Sequence, residues 1–126
     1  MKLRYGLSTL CLAFALAPTP AAADNWVYIG RNTYGSVYDV DWDSLRRDGN
    51  MVTFTIRVNY GPNGPKGEAD GYVAHRSANC ADRSYADLQT DYMKNGSLLR
   101  SSGQEEKRTA TPESIAGEVL SKVCAR

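Results

Sequence analysis

The sequence predicts an α+β domain in which an antiparallel β-sheet of about six strands packs against one C-terminal helix. Three observations carry this expectation. From Met51 to Tyr60 the side chains Val52, Phe54, Ile56, Val58 and Tyr60 alternate without interruption with Met51, Thr53, Thr55, Arg57 and Asn59, the period-two pattern of a half-buried strand. Asn95-Gly96 lies between two apolar runs, the strongest short-range hairpin signal. Beyond Thr111-Pro112, the residues Ile115, Ala116, Val119, Leu120 and Val123 recur at helical spacing, which gives one apolar stripe to lay on the sheet.

Residues 1–23 read as an export segment. Lys2 and Arg4 precede an apolar run from Leu7 to Ala17, Pro18 and Pro20 break it, and Ala21-Ala22-Ala23 supplies a small-residue cleavage site, the three parts of a secretory signal peptide. The run is much shorter than the roughly 20 apolar residues that cross a bilayer. A cleaved signal, with no transmembrane anchor after cleavage, is therefore expected, and the domain spans residues 24–126. Leu10 rather than a small residue precedes Cys11, which argues against lipid attachment. The expected location is the periplasm or the cell surface. Cleavage removes Cys11 and leaves Cys80 and Cys124 as an even pair in an oxidising compartment, so one disulfide is expected. Neither cysteine sits in a CxxC motif, which a redox or nucleophilic role would favour.

The mature domain opens with a short strand, Trp26 to Ile29, ended by Gly30. Tyr38, Val40 and Trp42 then alternate with Asp39, Asp41 and Asp43. With Arg47-Asp48-Gly49-Asn50 as turn chemistry, this strand and the Met51–Tyr60 strand predict a hairpin with a longer connection. The run Gly61-Pro62-Asn63-Gly64-Pro65-Lys66-Gly67 is a loop dense in turn residues. Strand character resumes at Tyr72, with Ala74, Ala78 and Cys80 of the same parity. Tyr85 to Met93 fits either period, and Asn95-Gly96 selects a strand, followed by a turn and a strand around Leu98-Leu99. Ser101 to Arg108 reads as a loop. A helix from about Pro112 to Val123 follows, with Thr111 as N-cap and Pro112 at the first helical position. Gly117 weakens that helix by about 1 kcal/mol relative to alanine, and Cys124 near its end can tie it to the strand bearing Cys80.

The chain has 126 residues, with 15 Lys and Arg against 14 Asp and Glu. Of the 15 bases only Lys2 and Arg4 leave with the signal and none of the 14 acids does, so the mature balance is −1. Binding to nucleic acid needs a concentrated basic face and is not expected. Arg46-Arg47 and Lys107-Arg108 adjoin Asp48 and Glu105-Glu106, which dilutes both basic pairs. Asp39, Asp41, Asp43 and Asn50 resemble the opening of a calcium loop, but Ser44 stands where the sharp turn needs glycine and Asn50 where the bidentate glutamate belongs. A solvated acidic sheet face is the simpler reading, and no metal site or cofactor is expected. His75 is the only histidine, no G-x-S-x-G nucleophile signature is present, and Gly61, Gly64 and Gly67 do not link a strand to a helix as a phosphate cradle would. No catalytic residues are assigned and the domain is read as a non-enzyme. Seven tyrosines, Trp26, Trp42 and Phe54 enrich the mature chain in aromatics. Most belong to the core and sheet faces, while exposed tyrosines suit a protein-binding surface.

Several of these features occur in a characteristic order: Trp26-Val27-Tyr28-Ile29-Gly30; the run from Tyr38 to Arg47 leading into Gly49 and the Met51 strand; Asn79-Cys80; Tyr92 with Asn95-Gly96; and Thr111-Pro112-Glu113-Ser114 before Cys124. This order resembles the bacterial surface-adhesin protein E family across essentially the whole mature chain. The resemblance implies an antiparallel sheet with a C-terminal helix and a cysteine pair. It also implies an exported, non-catalytic module that binds a protein partner, possible partners being host extracellular-matrix or serum proteins such as laminin and vitronectin. The alternatives are a periplasmic structural or partner-binding protein, or a small envelope metal binder or enzyme. The expected contact regions are the polar, turn-rich loops Gly61–Asp70 and Ser101–Thr109.

Overall fold

Because each strand ends in turn chemistry and the next resumes the same alternation, the chain can pair each strand with its predecessor. The computed structural model describes residues 24–126, and there it does so. The strands are β1 (Trp26–Arg31), β2 (Val37–Asp48), β3 (Met51–Asn59), β4 (Gly71–Asn79), β5 (Ser84–Lys94) and β6 (Ser97–Ser102). They form one antiparallel meander in that order, with a two-residue β7 (Arg108–Thr109) paired to the start of β5. The helix α1 (Ile115–Cys124) lies against β1 and β2. The export segment expected at residues 1–23, and Cys11 with it, lies outside the described residues.

One face of the sheet carries the core. Val52, Phe54, Ile56 and Val58 of β3 are each at most 1% exposed, as are Val40 of β2 and Val119, Leu120 and Val123 of α1. Burying an aliphatic or aromatic side chain of this size contributes about 1.5–3 kcal/mol relative to leaving it in water, so this seam is the main source of cohesion. Cys80 and Cys124 form a disulfide across a sequence separation of 44. It fastens the end of α1 beside the end of β4, and on the chain-entropy account a loop of that size contributes about 4 kcal/mol.

Four local features differ from expectation. The β2–β3 connection is short rather than long: β2 continues to Asp48 and turns through Gly49 at φ +61°. The irregularity lies inside β2 instead, as a bulge between Asp41 and Arg46, where Ser44 Oγ donates to the Asp41 carbonyl at 2.6 Å and accepts from Thr55 N at 2.8 Å. Ser101–Arg108 is not all loop, since β6 extends to Ser102 and Arg108 opens β7. The helix starts later than Pro112, at Ile115, and its N-cap is Ser114 rather than Thr111. Pro112 is placed instead in a turn closed by Ser114 N on the Thr111 carbonyl at 3.1 Å, a position for which its fixed φ is equally suited. Ser114 Oγ then accepts from Gly117 N at 3.0 Å, which satisfies one of the free donors of the first turn. Asn95 and Gly96 make the expected turn, with φ +51° and +82°, the sign that a type I′ hairpin requires at both central positions.

Candidate functional site

Register places an aromatic row on the core side of the sheet, beside hollows that no residue of α1 lines. Tyr38 of β2 faces Val58 of β3, Val58 faces Tyr72 of β4, Tyr72 faces Tyr92 of β5, and Tyr92 faces Arg100 of β6. Tyr60, just past β3, packs edge-on to Tyr72 with ring centroids 6.1 Å apart, and Tyr72 stands 6.1 Å from Tyr92. The Arg100 guanidinium lies 4.4 Å from the centre of the Tyr92 ring and closes the row with a cation–π contact. The β1–β2 loop and the β3–β4 loop form the walls. Between them is an open cavity of about 430 Å³ floored by Tyr38, Val58 and Tyr72 and walled by Asn32, Tyr34, Tyr60 and the Asn63–Pro65 segment. A smaller hollow of about 100 Å³ continues beyond Tyr60 and Pro65 to Tyr92 and Arg100.

The walls are held by hydrogen bonds to their backbone and by close approach of the two loops. Ser36 Oγ accepts from Gly61 N at 3.0 Å and so joins the two loops. The same approach requires glycine at 61, where a Cβ would stand 2.6 Å from the Tyr34 carbonyl oxygen. Tyr60 N donates to the Asp70 carbonyl at 3.0 Å, and Asp70 N to the Met93 carbonyl at 2.9 Å, so the ends of the Gly61–Asp70 loop are pinned to the sheet. Partial burial raises the pKa of Tyr72 well above its ordinary value and raises those of Tyr38 and Tyr60 as well. At neutral pH these phenols are hydrogen-bond donors. Tyr38 Oη accepts from Asn32 Nδ2 at 3.4 Å, whereas among the described residues no side chain holds the hydroxyls of Tyr60 and Tyr72. The trough is therefore largely aromatic and neutral, with free donors within it and Arg100 at one end.

The other candidates are dispersed. Asp39 pairs with Arg57 at 2.9 Å, and Arg57 in turn lies over Trp26 at 4.3 Å. Asp41 accepts from Asn25 N and Asp43 N, and Asp43 accepts from Asn25 Nδ2. Asp39 thus links β2 to β3, while Asp41 and Asp43 both hold Asn25 beside the start of β1. Asn50 is in the Gly49–Asn50 turn. His75 is exposed on the sheet face away from the core, opposite Thr55 and Gln89. Gly64 lines the larger hollow, and Gly67, exposed in the same loop, lines the smaller. Arg46 and Arg47 donate to backbone carbonyls, Arg47 to Cys124 O at 2.8 Å. The segment after β6 is tied to the sheet by Glu105 N on the Asp87 carbonyl at 2.9 Å and by β7.

A buried ion pair supports this framework and was not evident in the sequence. Arg76 donates to both carboxylate oxygens of Asp87, at 2.7 and 3.2 Å, with both side chains almost fully buried. Burial works against the charge on Arg76, but the Asp87 hydrogen bonds and charge outweigh it and hold the guanidinium protonated. Arg76 and Arg108 both lie against the Tyr85 ring, at 4.6 and 5.0 Å. The parity of Arg76 with Ala74 and Ala78 was the available signal.

Comparison with known proteins adds family and fold. The sequence profile of the family described as surface-adhesin protein E matches residues 26–125. The solved structure of Haemophilus influenzae protein E superposes with a TM-score of 0.59 at 22% identity, covering 87% of this chain and 91% of that one. Its selenomethionine form gives 0.60 at 22%, covering 88% and 94%. The crystal structure of protein E from non-typeable Haemophilus influenzae gives 0.55 at 22%, covering 87% and 82%. At this identity the structural likeness is one of fold. No curated protein sequence matches the chain.

Proposed function

We infer that this chain, which belongs to the surface-adhesin protein E family, is an exported non-catalytic module that binds a protein partner through its tyrosine trough. The observation that carries this reading is the cross-strand row from Tyr38 to Arg100, which borders open hollows that no residue of α1 lines. A sheet usually buries its aromatic face. Here one end of that face stays open, and half-buried tyrosines offer large contact area at low entropic cost. The use of Asp39, Asp41 and Asp43 in structural bonds to Arg57 and Asn25 supports a contact surface over a reaction centre. The Gly61–Asp70 loop takes part because its Asn63–Pro65 segment walls the trough. Family membership favours host extracellular-matrix or serum proteins as partners.

Export through a signal peptide at residues 1–23 and action at the cell surface belong to the same proposal. Among the described residues no helix is long and apolar enough to cross a membrane. Protease treatment of intact cells, followed by fractionation, tests display: the domain is expected to be cleaved from outside. The purified domain, residues 24–126, is expected to be retained on immobilised laminin or vitronectin in moderate salt. Full protection inside the periplasm, or no retention, contradicts the adhesive reading.

A further inference from the structure

We propose that the tyrosine trough receives a proline-rich segment in the polyproline II conformation, with an acidic residue following its prolines. The proposal rests on the contact-module reading and names the chemistry of the partner at that same site.

The spacing of the row fits such a ligand. Tyr38 and Tyr72 both face Val58, one from each side, so they stand two strand separations apart, about 9.6 Å. A polyproline II helix advances one turn in three residues, about 9.3 Å. A segment laid across the strands can therefore set residues i and i+3 against the two phenols, with Val58 flooring the gap between them. The walls already accommodate the relevant ring: Asn63-Gly64-Pro65 of this chain borders the trough, and Pro65 lines both of its hollows beside Tyr60. Polyproline II has no internal hydrogen bonds, so its carbonyls seek donors. The Tyr60 and Tyr72 hydroxyls supply them. Aromatic-lined grooves recognise proline-rich segments on this basis, because the ligand is already extended and loses little entropy. Charge sets the direction of the ligand. Exposed Arg100 ends the row and Lys66 lines the same hollow, opposed there by Glu68 alone.

The test uses residues 24–126 and a fluorescein-labelled decaproline ending in Asp-Asp, followed by polarisation. A glycine-serine peptide with the same two acids and an unlabelled cellohexaose are the comparators. Saturable binding of the decaproline is expected, at least tenfold tighter than of the glycine-serine peptide. Tyr72→Phe, which removes one donor and keeps the ring, is expected to weaken it roughly fivefold, and Tyr92→Ala at least tenfold. Arg100→Glu should weaken the acidic peptide more than an uncharged decaproline. Melting curves verify that each variant is folded. No binding by folded wild-type protein overturns the proposal. Equal binding of the glycine-serine peptide, indifference to Tyr92→Ala, or selective binding of cellohexaose does so too. If Tyr92→Ala abolishes retention on laminin or vitronectin while decaproline never binds, the contact-module reading survives and this inference falls. If decaproline binds with the stated sensitivities and neither matrix protein is retained, the reverse holds.

Discussion

Replacing Gly117 with alanine is expected to reverse the usual sign of a helical glycine substitution. In an exposed helix interior that change stabilises by about 1 kcal/mol. At 117 the added Cβ would overlap the Thr111 carbonyl oxygen and stand 2.9 Å from the Thr111 carbonyl carbon and 3.1 Å from Pro112 Cα. All three are backbone atoms, so no rotamer change relieves the contact. The Thr111–Ser114 turn must shift, which loosens the Ser114 Oγ bond to the Thr111 carbonyl at 2.7 Å and the Ala110 N bond to Arg83 O at 2.9 Å. Overpacking costs about 1–3 kcal/mol and a weakened cap about 1 kcal/mol. Set against the propensity gain, the net is a loss of roughly 1–3 kcal/mol, or a Tm lower by roughly 5–20 °C for a domain of this size. Urea and thermal unfolding of the oxidised domain, followed by far-UV circular dichroism, measure it. Lys122→Ala, at an exposed helical site, serves as the control and should change stability by less than about 0.5 kcal/mol. A Gly117→Ala domain more stable than wild type would refute the packing argument.

Three further outcomes are expected. Replacing both Cys80 and Cys124 by alanine should lower the unfolding free energy by about 4 kcal/mol. A loss under about 1 kcal/mol in urea titration would mean that α1 docks without its tether. Asp87→Asn leaves Arg76 charged, buried and poorly paired, and should cost about 3–5 kcal/mol, whereas the double variant Arg76→Met, Asp87→Leu should recover most of it; equal losses from the single and double variants would contradict this. Because Tyr38, Tyr60 and Tyr72 have raised pKa values in the folded state, their contribution is fully present below the unfolded value near pH 10 and is lost as pH rises beyond it. Absorbance at 295 nm should show three tyrosines titrating late in the folded domain, and Tyr72→Phe should reduce the loss of stability between about pH 9 and 11. Unperturbed titration of all seven would contradict the burial.

The strand faces were legible because period two is a local property. Val52 to Val58 declared its buried side residue by residue, and Asn95-Gly96 declared its turn through the positive φ that both residues tolerate. Bulges were not legible. β5 looked ambiguous because its inward set changes parity: Tyr85 and Asp87 face Ala78 and Arg76, then the register slips past Leu88, and Thr90 and Tyr92 face Ala74 and Tyr72. The resulting mixture of odd and even positions imitates a helical period. The start of α1 is not fixed by residue type, because Thr111 and Ser114 are both good caps, and only the closure of the turn on the Thr111 carbonyl distinguishes them. The trough was hidden for a different reason. Tyr38, Tyr60, Tyr72, Tyr92 and Arg100 are far apart in sequence, and what joins them is cross-strand register, which depends on two bulges and a hairpin at once. Tyr38 and Tyr60 read singly as core and sheet-face packing. Their shared position beside the open hollows, with Tyr72 and Tyr92, makes them a surface.

Fluorine NMR of the domain carrying 3-fluorotyrosine distinguishes the trough from the opposite sheet face, because one side chain of the same type provides an internal contrast. Tyr28 is 57% exposed and faces Asp39 on the side of the sheet away from the trough, while Tyr34, Tyr60, Tyr72 and Tyr92 line the trough. Titration with soluble vitronectin or laminin should shift or broaden the trough resonances and leave Tyr28 unchanged. A response confined to Tyr28, or no response from Tyr34, Tyr60, Tyr72 and Tyr92 in a sample that binds, would contradict the assignment of the trough as the contact surface.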